Sequence, residues 1–131
     1  MNDSFSDFSL AEPLTRGLDK LGIATPTPVQ RQAIPSALEG RDLLVCAATG
    51  SGKTLAFLLP MMQRFLEHPA PSNGTRALIL APTRELARQI EAHFLQVGSY
   101  TRLTAEIIVR VTPGSHHVAA LRKNPDGLIA T

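Results

Sequence analysis

The sequence predicts an α/β fold, a mostly parallel sheet with helices on both faces, and two observations carry that prediction. Short apolar runs alternate with segments of helical periodicity along most of the chain, and a glycine-rich loop joins the first apolar run to the helix after it. In order, Leu10, Leu14, Leu18 and Leu21 recur at helical spacing, with Ser9 as a cap and Gly22 as a stop. Thr25 to Gln30, with two prolines, is an extended approach. Pro28 suits the first turn of a second helix that turns Val29, Ala33, Ala37 and Leu38 inward and bends at Pro35. Residues 39–42 turn the chain into a first strand at Leu43–Cys46, followed by a loop at 47–52 and a helix at 53–66. An exposed connection at 69–75 leads to a buried strand at Ala77–Leu80. A helix from Arg84 to Val97 follows, striped with Leu86, Ile90, Phe94 and Val97. A third strand is expected within 103–111, a helix within 116–123 and a last strand at 128–130.

The loop Ala47-Ala48-Thr49-Gly50-Ser51-Gly52-Lys53-Thr54 has the chemistry of a phosphate cradle. A strand ends in a compact turn whose N–H groups face an anion, and a helix begins there with its positive end toward the same point. Gly50 and Gly52 permit backbone angles and approaches that a Cβ obstructs. Lys53 supplies a mobile positive charge for β- and γ-phosphates, and Thr54 offers a hydroxyl to Mg²⁺. Ala47 stands where the general pattern has its first glycine.

At 131 residues and 14.1 kDa, with 44% apolar and 18% charged residues, the chain has the makings of one folded domain. No apolar run approaches the roughly 20 residues that span a bilayer, so no membrane partner is expected. Cys46 is the single cysteine; an internal disulfide is excluded, a cytoplasmic setting is expected, and Cys46 reads as a buried filler of the first strand. The net charge of +2 conceals an asymmetry, with five basic and six acidic side chains in residues 1–60 against eight and five in 61–131. Arg76, Arg84, Arg88, Arg102, Arg110, Arg122 and Lys123 are candidates for a phosphate-facing surface.

Taken together, the elements resemble the DEAD-box RNA helicase family, and the resemblance runs along nearly the whole chain. Its carriers are an upstream Phe5, the Gly22 to Gln30 element similar to the Q motif, the AATGSGKT loop similar to motif I, and Pro82 to Gln89 (PTRELARQ) similar to motif Ia. The resemblance implies that residues 1–131 are part of a RecA-like P-loop NTPase domain, the first of two, with a Q-motif-like element at 5–30. The implied ligands are ATP with Mg²⁺, single-stranded or duplex RNA, and a second RecA-like domain. By the same resemblance Gln30 reads the Hoogsteen edge of adenine, Phe5 packs on the adenine side and Thr27 supports that element. Ala48, Thr49, Gly50, Ser51, Gly52, Lys53 and Thr54 hold the phosphates and the metal, Lys53 and Thr54 are catalytic, and Pro82, Thr83 and Arg84 touch the RNA backbone.

Ile23 takes a place that is usually aromatic. The paired glycines after the third strand have no clean counterpart, Arg110-Val111 standing there, and Thr112-Pro113-Gly114 only imitates motif Ib, whose first residue is matched by Thr131. The family places its acidic Mg²⁺-holding motif beyond Thr131. The chain is therefore expected to stop before that motif, to hydrolyse ATP negligibly alone, and to self-associate through a sheet edge left open beside Leu43–Cys46. Two readings stay beside the main one: a different P-loop nucleic-acid motor, and a non-catalytic nucleotide-binding or interaction fragment.

Overall fold

The computed structural model describes residues 3–69, 74–109 and 114–131. A 3-10 turn at Phe5–Phe8 precedes α1 (Glu12–Lys20), α2 (Pro28–Leu38), α3 (Lys53–Glu67), β1 (Ala77–Leu80), α4 (Arg84–Val97), β2 (Ala105–Ile108), α5 (Gly114–Arg122) and β3 (Gly127–Ala130). The strands form one parallel sheet in the order β1-β3-β2, with Ala77 and Ala105 both level with Gly127. This is the α/β architecture that the alternating pattern predicts.

Two expectations are corrected. Leu43–Cys46 joins no strand ladder: Leu43, Leu44 and Val45 are 45%, 94% and 39% exposed, and Cys46 is exposed rather than a buried filler. A strand holds its N–H and C=O groups only through a neighbour, and the described residues place no neighbour beside this segment. Ser9 does not cap α1. It closes the 3-10 turn in a left-handed conformation, while α1 starts after Ala11, whose N–H donates to Gln63 Oε1 at 2.7 Å. Arg110 to Pro113, which include the missing glycine pair and most of the motif Ib look-alike, lie outside the described residues.

The core is a single cluster in which Leu14, Leu18, Ile34, Leu58, Leu59, Met62, Phe94, Val97 and Ile129 are almost wholly buried. It ties α1, α2, α3 and α4 to β3. Helices α1 and α4 meet closely because Gly17 carries no side chain; a Cβ there would lie against the carbonyl of Val97.

A polar clamp fixes the register of the sheet at the N-terminal ends of its strands. Asp126, just before β3, accepts from Arg76 Nη2 at 2.7 Å and from the N–H of Thr104 at 2.9 Å, and so grips the residues preceding β1 and β2. Arg76 also donates to the carbonyls of Phe65 and His68, and its guanidinium lies 4.4 Å from the Phe65 ring centre. Arg76 is thus removed from the phosphate-facing surface expected of it, since its Nη1 and Nη2 groups serve the junction of α3 with the sheet. With the N-terminal ends pinned, the opposite ends converge: Ala81 N–H donates to Ala130 O at 2.8 Å, and Thr131 N–H to Ile108 O at 3.2 Å.

Candidate nucleotide and nucleic-acid site

Local geometry delivers Gln30 to the phosphate loop. Helix α1 ends in a left-handed Gly22 (φ 72°), with Gly22 N–H on Asp19 O and Ile23 N–H on Leu18 O, a glycine stop that turns the chain sharply. The extended segment then enters α2 through a reciprocal cap. The Thr27 hydroxyl accepts from Gln30 N–H, and Gln30 Oε1 accepts from Thr27 N–H at 2.9 Å. The Thr-x-x-Gln spacing that announces this cap is present in the sequence, and it adds a structural duty to the two residues singled out for adenine.

Gln30 is only 3% exposed, and its Nε2 donates to the carbonyl of Gly52 at 3.0 Å. The opposite amide orientation would set two oxygens face to face, so the network fixes which end points where. Gly52 itself is left-handed (φ 89°) and is the N-cap of α3; a Cβ on it would collide with the Gln30 amide and come within 3.0 Å of Thr27 Oγ1. Thus a glycine chosen for loop geometry is also the contact between loop and α2, whose packing on α3 is extensive.

Within the loop, Gly50 is left-handed (φ 81°), Ser51 N–H closes a turn on Ala48 O, and Ala48 and Thr49 are exposed. Lys53 Nζ donates to Ala47 O at 2.6 Å, folded back over the loop. Thr54 is partly buried one residue further on. Lys53 and Thr54 border an apolar cavity of about 670 Å³ that also reaches Leu43, Val45, Ile79, Leu80, Leu86 and Ile90. A second groove, of about 460 Å³, runs between the loop (Gly50, Ser51) and α2's start (Thr27, Pro28, Val29, Gln32). Cys46 lines it, a position that its place directly before the loop could have signalled.

Phe5 is 3% exposed and edge-on to Phe8 with ring centres 5.9 Å apart, and its N–H donates to Ala24 O. Ile23 packs partly buried against the core.

Beyond β1, Pro82, Thr83 and Arg84 are exposed at the C-terminal end of the sheet. Thr83 caps α4, its hydroxyl accepting from Leu86 N–H at 3.1 Å, and Glu85 sits in the favourable first turn. Arg84 therefore stands at the positive end of a helix with no acidic side chain in salt-bridge range among the described residues. On α4's flank Glu91 has its carboxyl raised above the usual 4.5, chiefly by burial and then by Glu106, against the lowering effect of Arg88.

These features have counterparts in known proteins. The sequence model for the DEAD/DEAH box helicase matches residues 27–131. The chain belongs to the DEAD/DEAH box helicase family. A probable ATP-dependent RNA helicase, ddx27, of Dictyostelium discoideum is 43% identical over 98% of this chain and 16% of its own length. The ATP-dependent rRNA helicase rrp3 of Sclerotinia sclerotiorum is 46% identical over 98% of the chain and 26% of its own. The crystal structure of the RNA-helicase Prp28 from Chaetomium thermophilum bound to ADP superposes with a TM-score of 0.86 at 40% identity, covering 97% of this chain and 31% of that one. The chain thus spans about a sixth to a quarter of these curated DEAD/DEAH box relatives, and its three-stranded sheet is part of their RecA-like fold. No helix among the described residues is long and apolar enough to cross a membrane.

Proposed function

We propose that this chain is the adenine-nucleotide-binding and RNA-contacting portion of a cytoplasmic ATP-dependent RNA helicase. The observation that carries the reading is the fastening of Gln30 to Gly52. A primary amide has two acceptor sites and two donor hydrogens. Gln30 uses one of each, on Thr27 N–H and Gly52 O, and keeps one of each. The remaining pair matches the exocyclic amine and ring nitrogen on adenine's Hoogsteen edge, and it is held rigidly against the loop that would take the phosphates.

Lys53 exchanges its bond to Ala47 O for the β- and γ-phosphates, and the α3 N-terminus adds its positive end. Thr54, beside Lys53 and partly buried, is the residue of this chain suited to Mg²⁺. Bound Mg²⁺ would neutralise phosphate charge. Phe5 acts by packing the segment that carries Ala24 and Thr27. Pro82, Thr83 and Arg84 meet the RNA backbone, with affinity that is independent of sequence. The second RecA-like domain completes the hydrolytic site in the whole protein.

Two substitutions test the reading. Lys53→Ala should weaken ATP binding by at least about tenfold. In the whole protein Arg84→Ala should weaken single-stranded RNA about equally across sequences and reduce the salt slope by about one unit. An unchanged slope, or a loss confined to one RNA sequence, would give Arg84 another role.

A further inference from the structure

Among the described residues two polar side chains are buried, Gln30 at 3% and Gln63 at 6% exposure. A buried amide is tolerated where its hydrogen-bonding groups are met. Gln30 meets Gly52, the N-cap of α3. Gln63 stands on the same helix, about three turns or 16 Å further along. Its Oε1 accepts from Ala11 N–H at 2.7 Å, and its Nε2 donates to Glu67 Oε1 at 2.8 Å. The opposite amide orientation would set donor against donor and oxygen against oxygen, so the two partners fix it.

Ala11 leads back to the Gln30 element by two routes. Toward the N-terminus the chain forms a strap: Asp7 closes the 3-10 turn on Ser4 N–H, Phe5, Phe8 and Leu10 are buried, and Phe5 N–H donates to Ala24 O at 3.4 Å. Toward the C-terminus Ala11 is the N-cap of α1, whose far end turns at Gly22 into the segment that carries Thr27. A ring of contacts thus runs from the α3 N-cap through Gln30, Ala24, Phe5 and Ala11 back to α3 at Gln63. One fastening between two bodies leaves a hinge, and a second one about 16 Å away removes it. The geometry points to Gln63 as a positioning residue for adenine recognition: by holding Ala11 it sets the angle at which the Gln30 amide stands against the phosphate loop. The inference rests on the reading of Gln30 as the adenine contact. Gln63 acts through that amide, so losing its bond should blunt discrimination between bases and spare the hold on phosphates.

Calorimetry of the chain with Mg²⁺-ATP, Mg²⁺-GTP and inorganic tripolyphosphate tests this. Gln63→Met keeps the volume and removes both hydrogen bonds. It should lower the ratio of ATP to GTP affinity by at least about threefold and change tripolyphosphate affinity by less than about twofold. Gln63→Glu combined with Glu67→Gln should restore the ratio, because a carboxylate at position 63 accepts from Ala11 N–H and from an amide at position 67. Asp126→Ala, which loosens the sheet at the strands' N-terminal ends, should leave the ratio unchanged. Should Gln63→Met fail to fold, Ala11→Pro breaks the same bond from the other partner, its φ of −58° already suiting proline. A ratio that survives in the folded Gln63 or Ala11 variant, a folded double variant that does not recover it, or an equal loss in Asp126→Ala would overturn the proposal. Equal affinity of the unsubstituted chain for ATP and GTP would overturn the reading of Gln30 itself, and this inference with it.

Discussion

Gly52 and Gln30 meet in the contact on which the proposed adenine recognition rests. Gly52→Ala would strain a left-handed backbone and push on the Gln30 amide and on Thr27. It should cost about 1–3 kcal/mol of stability, read by denaturant unfolding, and abolish nucleotide binding in protein that still folds. The proposed phosphate chemistry of the loop rests on residue types at fixed spacing, which a sequence displays directly. The Gln30–Gly52 bond is not displayed in that way, because it joins residues 22 positions apart and needs the helix entry angle to be known. Glu91 offers a separate test. Its carboxyl is raised in the fold, so the native state holds its proton more tightly than the unfolded chain, and the charged form costs stability at neutral pH. Glu91→Gln should therefore raise the melting temperature at pH 7, with the gain fading as pH falls to about 4, where the wild-type carboxyl is itself protonated. An equal gain at both pH values would contradict this.

Among the elements, helices with a strong apolar stripe were legible nearly to the residue: Arg84–Val97 matches its expectation, and α2 begins at Pro28 as its proline requires. Leu43–Cys46 was misread as a paired strand because an apolar run reports a preference for burial and not the presence of a ladder partner. The polar clamp escaped notice for the converse reason, since Arg76, Thr104 and Asp126 are unremarkable singly and meet only when three strands align. Asp126→Ala removes the acceptor that holds all three strand starts, and leaves Arg76 partly buried without its ion pair. The expected loss is about 2–4 kcal/mol in unfolding free energy. Gly17→Ala, which wedges α1 from α4, should cost about 1–3 kcal/mol by overpacking. A loss under about 0.5 kcal/mol in either variant would show that the contact is slack.

At the scale of the molecule, the sheet is pinned at one end and carries the proposed RNA-contacting segment at the other. The clamp lies at the strands' N-terminal ends, and the Pro82–Arg84 segment leaves from the opposite end, while α2 and α3 bring the Gln30 amide to Gly52. Family membership was legible because AATGSGKT and PTRELARQ stand in order along the chain. The central claim is that Gln30, fastened to Gly52, makes this site select adenine. Isothermal titration calorimetry of the chain with ATP and with GTP, each with Mg²⁺, tests it directly when repeated on Gln30→Ala. The account predicts a preference for ATP of at least about tenfold that disappears in the variant. Equal affinity for the two nucleotides in the unsubstituted chain, or a preference for ATP that survives the loss of Gln30, would contradict it.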